Sequence, residues 1–278
     1  MGKRVVAAAQ GYTFPKVNMF TKAIVRLPAS NFADGLTTVS LGKPDYATTV
    51  AQHQRYCEAL RECGLSLTHL DADERYPDST FVEDVAVLTE RGAIMTRPGA
   101  DSRAGEVAHM RTVLPAFYPE LAEIVAPGTL DGGDICEAGE HVVIGISLRT
   151  NEEGARQLAS WLAGIGYTSS FVDIRQTPGI LHLKSGISFI GDGKADRRMV
   201  VIDALANDPA LQQFELVRVA SAEDYAANCV RVNQHVLMAS GYPQLEATLR
   251  ALGYAVIALD MSEYQKMDGG LSCLSLRF

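Results

Sequence analysis

The sequence predicts an α/β fold of repeated units that close into a ring, on three observations. First, five short polar signatures recur at nearly constant spacing. They are FVED at Asp84, LDGGD at Asp131, LHLKS at His182, AANCV at Asn228 and LSCLS at Cys273, separated by 47, 51, 46 and 45 residues. A fixed period of this size marks a chain of repeated supersecondary units. Second, each of the first four signatures is followed by a turn and then a β-branched apolar run. Third, the ends are incomplete in complementary ways. The run TKAIVRLP has no signature before it, and LSCLSLRF has no partner strand after it. Pairing them would close the ring and remove an exposed edge. Many α/β proteins alternate elements at this spacing without symmetry, so periodicity alone leaves both readings open.

The elements follow in order. TKAIVRLP (21–28) reads as a buried strand by its length and Val/Ile content. Residues 49–63 read as a helix stopped by Gly64. GAIMTRP (92–98) is the next strand. The segment 104–123 has a helical pattern interrupted by Pro115 and Pro119. EHVVIGI (140–146) is a strand. Thr150 and Glu153 form a capping box before Ala155, Leu158, Ala159 and Leu162, which share one helix face. RMVVIDAL (198–205) is a strand, and the stretch after it, NDPALQQFELV, carries the weakest helix signal. QHVLMAS (234–240) precedes a helix marked by Leu245, Leu249 and Leu252 and stopped by Gly253. The unit is strand, hairpin turn, strand, helix, strand. No Gly/Ser/Pro-rich linker interrupts it, so residues 1–278 read as one domain with an N-terminal extension of about 20 residues.

The chain has 278 residues, 47% of them hydrophobic, enough for a large core. A net charge of -8 and the lack of a basic stripe argue against nucleic acid. The start is too short in apolar residues for a signal peptide, and no run approaches a membrane span. A soluble cytoplasmic protein that binds no membrane is expected. Five cysteines, an odd number without pattern, fit a reducing compartment. No CxxC pair suggests structural zinc.

Cys273 is the sharpest chemical candidate. It follows two glycines in MDGGLSCLSL, and a lone cysteine with distant His and acidic partners can be a nucleophile. The plain alternative, a small buried apolar residue, is the better reading for Cys57, Cys63, Cys136 and Cys229. His182 lies between two leucines, a common setting for a core histidine; its place in the repeat raises it. Asp131 and Asp134 bracket two glycines, which usually means a turn. Glu83 and Asp84 stand inside an apolar run after Phe81, and carboxylates there need partners when buried. A planar guanidinium would supply them. Arg103 and Arg149 each follow a strand and are either surface arginines or a clamp for a carboxylate. The sum suits a zwitterionic substrate with a cationic side chain.

PDSTFVEDVAVL, TRPGADSR, TLDGGD, the run through SLRTN, LHLKS and MDGGLSC, in this order, resemble the dimethylarginine dimethylaminohydrolase family of the pentein superfamily. The resemblance runs from about residue 21 to the C-terminus. It implies a five-bladed α/β-propeller of pseudo-symmetric ββαβ units and a hydrolase that turns methylated L-arginine into L-citrulline and an alkylamine without a cofactor or metal. Carried over by motif, Cys273 is the nucleophile, His182 the general acid/base and Asp131 its orienting carboxylate. Glu83, Asp84 and Asp268 surround the substrate guanidinium near Phe81. Arg103 and Arg149 hold the α-carboxylate. Asp78 and Met267 offer backbone carbonyls to the α-ammonium, and Leu36 sits on a mobile lid in DGLTTVSLGK. Met267 departs from the smaller apolar residue common there. The substrate's own cation, or an adjacent imidazolium, is expected to lower the thiol's pKa. An arginine deiminase on the same fold, or a binding protein that keeps the ring without the chemistry, are the rival readings. A homodimer is left open.

Overall fold

The computed structural model describes residues 20–278, so nearly all of the N-terminal extension lies outside the described residues. In chain order the elements are β1 (Lys22–Arg26), α1 (Tyr46–Glu62), β2 (Ser66–Leu70), β3 (Ala86–Thr89), β4 (Gly92–Met95), α2 (Val107–Val113), β5 (Leu121–Glu123), β6 (Ile135–Ala138), β7 (His141–Ile146), α3 (Glu152–Gly164), β8 (Thr168–Asp173), β9 (Ile187–Phe189), β10 (Arg198–Ile202), β11 (Glu215–Val219), β12 (Val230–Val232), β13 (His235–Ala239), α4 (Pro243–Ala251), β14 (Ala255–Leu259), α5 (Ser262–Gln265) and β15 (Leu276–Arg277).

The strands form five three-stranded sheets: β15-β1-β2, β3-β4-β5, β6-β7-β8, β9-β10-β11 and β12-β13-β14. In each, the first pair is antiparallel and the second parallel. A short connection between successive strands explains the first pairing in four sheets, chain closure explains it in β15-β1, and a crossover connection explains the second in all five. The last strand pairs with the first in register Ala23↔Arg277 and Ile24↔Leu276, so the chain closes on itself. This is the five-bladed ring that the repeat and the resemblance predict.

The middle strands β4, β7, β10 and β13 are buried along nearly their whole length. Covered on both sides, they read as continuous apolar runs rather than alternating ones. Val143, Val200 and Val236, from three successive sheets, belong to one packed cluster. α3 buries Ala155, Leu158 and Leu162, the face its periodicity marks. Its N-cap, however, is Asn151, whose side chain accepts from Gly154 N. The expected box of Thr150 and Glu153 does not form because Thr150 donates instead to buried Asp134, at 2.6 Å. Gly64 and Gly253 end α1 and α4 at φ +96° and +92°, a left-handed turn that glycine adopts without strain. The segment 104–123 is helical only over α2. Pro115 is the second residue of a 3-10 turn at Leu114–Ala116, and the chain then joins β5. The fourth unit has no α-helix, only a 3-10 turn at Pro209–Leu211.

Candidate active site

All five signatures fall on 3-10 turns just before the first strand of a sheet. These are Val82–Val85, Gly132–Asp134, Leu183–Ser185, Ser221–Ala227 and Ser272–Leu274. The first four turns touch in succession, the last touches the first, and Asn228, at the end of the fourth, hydrogen-bonds Ser272 in the fifth. The period in sequence thus becomes convergence in space.

Asp131 precedes its turn and is fully buried. One carboxylate oxygen accepts from Gly99 N at 2.8 Å, and the other meets His182 Nε2 at 3.0 Å. Asp134, at the far end of the same turn, accepts from Leu183 N at 2.9 Å and so fixes the backbone beside His182. Gly133 lets the imidazole in: a Cβ there would stand 2.7 Å from the ring. Asp84 accepts from Gly133 N at 2.8 Å and pairs with Arg103 Nη1 at 2.5 Å. Asn228 accepts from Ser272 N at 3.0 Å and holds the turn that carries Cys273. Cys273 is half-buried; the other four cysteines are buried.

A cavity of about 20 Å³ is lined by Leu36, Asp78, Phe81, Asp84, Arg103, Arg149, Leu181, His182, Met267, Asp268, Gly269 and Cys273. Leu181 and Gly269 are additions to the sequence-based set. Leu181 carried no signal beyond its place beside His182. Gly269 stood within the MDGGLSC motif, and a Cβ there would strike the Phe81 ring at 2.4 Å.

Electrostatics in this cavity oppose a ready thiolate. Burial pushes the Cys273 thiol up to about 12, and the charges of Glu83 and Asp84 add to it. In the free protein, then, burial and the neighbouring carboxylates hold the thiol above its ordinary value, and the expected lowering waits on the substrate's cation. Burial disfavours charge on His182. The charge of Asp84, the hydrogen bond His182 donates to Asp131 and the charges of Asp134 and Asp131 outweigh it and raise the imidazole to about 9. Burial also works against the Asp84 anion, but His182 and Arg103 bring it down to about 2.

Four of the expected residues already have partners within the protein. Glu83 does not line this cavity. It pairs with Lys184 Nζ at 2.5 Å and accepts from Ser272 Oγ at 2.9 Å. These three residues line a separate cavity of about 870 Å³. Chain neighbours point into different cavities: Glu83 and Asp84, and likewise Ser272 and Cys273. Arg103 is largely taken up by Asp84 and Glu106, with one Nη1 donor left over. The Asp78 carbonyl accepts from Phe81 N at 2.9 Å, and its carboxylate takes Leu36 N at 3.1 Å. The Asp268 carboxylate takes Thr38 N at 2.5 Å and Thr38 Oγ1 at 3.1 Å. With Thr37 Oγ1 donating to Lys266 O at 2.9 Å, the segment around Leu36 is fastened over the cavity. Arg149 lines the cavity with no acidic partner within ion-pair distance among the described residues.

Asp84, Asp131 and His182 each offer one ligand atom, all within 4.8 Å of one another. Their charges are already matched in pairs, Asp84 with Arg103 and Asp131 with His182. A divalent cation would have to displace both pairings. No helix among the described residues is long and apolar enough to cross a membrane.

Residues 74–207 match the family model described as arginine deiminase. The chain is 45% identical over 261 residues to N(G),N(G)-dimethylarginine dimethylaminohydrolase of Pseudomonas aeruginosa, covering 94% of this chain and 100% of that protein. The protein of the same name from Streptomyces coelicolor is 32% identical, over 92% of this chain and 96% of its own. The structure of a cysteine-to-serine mutant of the Pseudomonas enzyme complexed with citrulline superposes with a TM-score of 0.89 at 44% identity, over 94% of this chain and 100% of that one. Similarity of this extent, on a ring that gathers Cys273, His182 and Asp84 around one cavity, places the chain in the dimethylarginine dimethylaminohydrolase family.

Proposed function

We propose that the protein hydrolyses Nω,Nω-dimethyl-L-arginine, and the monomethylated form, to L-citrulline and dimethylamine or methylamine through a covalent bond to Cys273. The observation that carries this reading is the single cavity shared by a thiol, an imidazole, a carboxylate and an unpaired arginine. Asp84 faces the substrate guanidinium and Arg149 the α-carboxylate. The substrate's guanidinium sets a cation beside Cys273 and the carboxylates, and the thiol gives up its proton to solvent as the substrate binds. The thiolate adds to the guanidinium carbon, forming the C–S bond. His182 gives its proton to the departing dimethylamine as the C–N bond breaks, leaving a thiouronium. His182 then takes a proton from water, which adds to the same carbon. The C–S bond breaks, and the carbonyl of citrulline and the thiol are left.

The test is an assay of citrulline and dimethylamine with dimethylarginine and plain arginine side by side. Equimolar citrulline and dimethylamine from the methylated substrate alone is expected. Citrulline and ammonia from arginine would instead favour a deiminase, the reading that the matching family model supports.

A cavity of about 20 Å³ holds roughly one water, whereas ligand pockets run to about 300 Å³ or more. The segment around Leu36 therefore has to lift for each turnover. Asp268→Asn weakens its fastening to Thr38. Cys273 should then be alkylated several-fold faster in the free protein. An unchanged alkylation rate would show that Asp268 does not hold the lid.

A further inference from the structure

We propose that Glu106 is a positioning residue for this site: by gripping the far edge of Arg103 it fixes Asp84 and leaves one guanidinium N–H for the substrate's α-carboxylate. This rests on the reading above, that the substrate is an amino acid with a guanidine side chain.

A guanidinium has five N–H donors. Arg103 Nε donates to Glu106 Oε1 at 2.9 Å and Nη2 to Glu106 Oε2 at 2.7 Å. This side-on pair is the strongest and most directional geometry an arginine has. The second Nη2 proton faces the Phe81 and Asp78 carbonyls at 3.1 and 3.3 Å. Nη1 donates once, to Asp84 Oδ2 at 2.5 Å. One donor on Nη1 remains, beside the one that holds Asp84, and Arg103 lines the cavity.

Glu106 does not line the cavity and is only 5% exposed. Whatever it does to the reaction passes through Arg103. Its location follows from the local fold. Arg103 ends a 3-10 turn and Glu106 precedes α2, three residues on, which puts the two side chains on one face. Without the Glu106 carboxylate, Arg103 would be free to turn its whole fork onto Asp84. Asp84 would then sit elsewhere, and the spare N–H would be lost to the substrate. A bare counterion role predicts none of this selectivity; it predicts only lower stability.

The test compares Glu106→Gln with wild type, using L-arginine and agmatine as competitive inhibitors of dimethylarginine hydrolysis. Both carry a guanidinium, and only arginine carries the α-carboxylate. A glutamine can accept from one of the two N–H groups but presents its own donor to the other. The ratio of agmatine to arginine inhibition constants should fall about tenfold, the size of a lost charge-assisted hydrogen bond, and kcat should fall with it. Glu106→Asp keeps the charge but reaches only one N–H, so its ratio should lie between the two; it carries the test if the glutamine variant does not fold. An unchanged ratio, whether or not both variants are slower or less stable, overturns the proposal. Wild-type protein that is silent on dimethylarginine would instead strike the functional reading itself, and the proposal with it.

Discussion

Cys273→Ser should reduce turnover by a factor on the order of 10⁴ or more, the loss seen when a covalent nucleophile is removed. The swap is nearly isosteric, so folding is kept and the loss is chemical. A serine hydroxyl is a far weaker nucleophile in a site that already disfavours anions. Burial and the charges of Glu83 and Asp84 push even the thiol up to about 12. Cys229→Ser should leave turnover within about twofold, because Cys229 is a buried packing residue that does not line the Cys273 cavity. The same electrostatics make a second readout. In the free protein, alkylation of Cys273 should climb about tenfold per pH unit from neutrality upward, since only thiolate reacts. Normal turnover by the Cys273→Ser protein would refute the covalent scheme, and a pH-independent alkylation rate would refute the raised thiol.

His182→Ala should lower kcat by about 10²- to 10⁴-fold, the range for a lost general acid. It should also change how stability depends on pH. The folded imidazole titrates near 9, raised against burial by Asp84, Asp131 and Asp134, whereas an unfolded histidine titrates at about 6.5. A raised folded value means that the folded state holds its proton more tightly. The stabilisation is therefore complete below about pH 6.5 and is lost as pH rises to about 9. Its size is on the order of a few kcal/mol. Thermal melts at pH 6.5, 7.5 and 9 check this. Wild type should lose stability across that window, and the alanine variant should lose much less. Parallel curves for the two proteins would mean that His182 is not charged in the folded state.

The ring was legible because its cause is local. Each unit repeats the same turn, hairpin and apolar run, and these are set by residues close in sequence. Even the closing pair of β1 and β15 could be read from two unpartnered ends. Errors fell where a side chain chose a distant partner. Thr150 has the sequence context of a cap but donates to Asp134 at the centre of the ring. The break after α2, by contrast, was legible, because proline acts on its own backbone.

The candidate site divides the same way. Motifs located Asp84, Asp131, His182 and Cys273, and their turns bring them together. Motifs did not tell which way each carboxylate points. Glu83 and Asp84 are adjacent in sequence, yet one turns to Lys184 and the other to the Cys273 cavity. Glu106 carried no signal except three-residue spacing from Arg103. The sequence by itself determined the unit, its repetition and the candidate reactive groups, with the closed ring resting on two unpartnered ends and the family resemblance, because spacing, motifs and residue chemistry are written locally. Only the tertiary structure decided which charges are paired, which face the cavity and how far burial moves the thiol and the imidazole. Those depend on distances between side chains from different units, and Coulomb and desolvation energies are functions of distance and burial, not of sequence order.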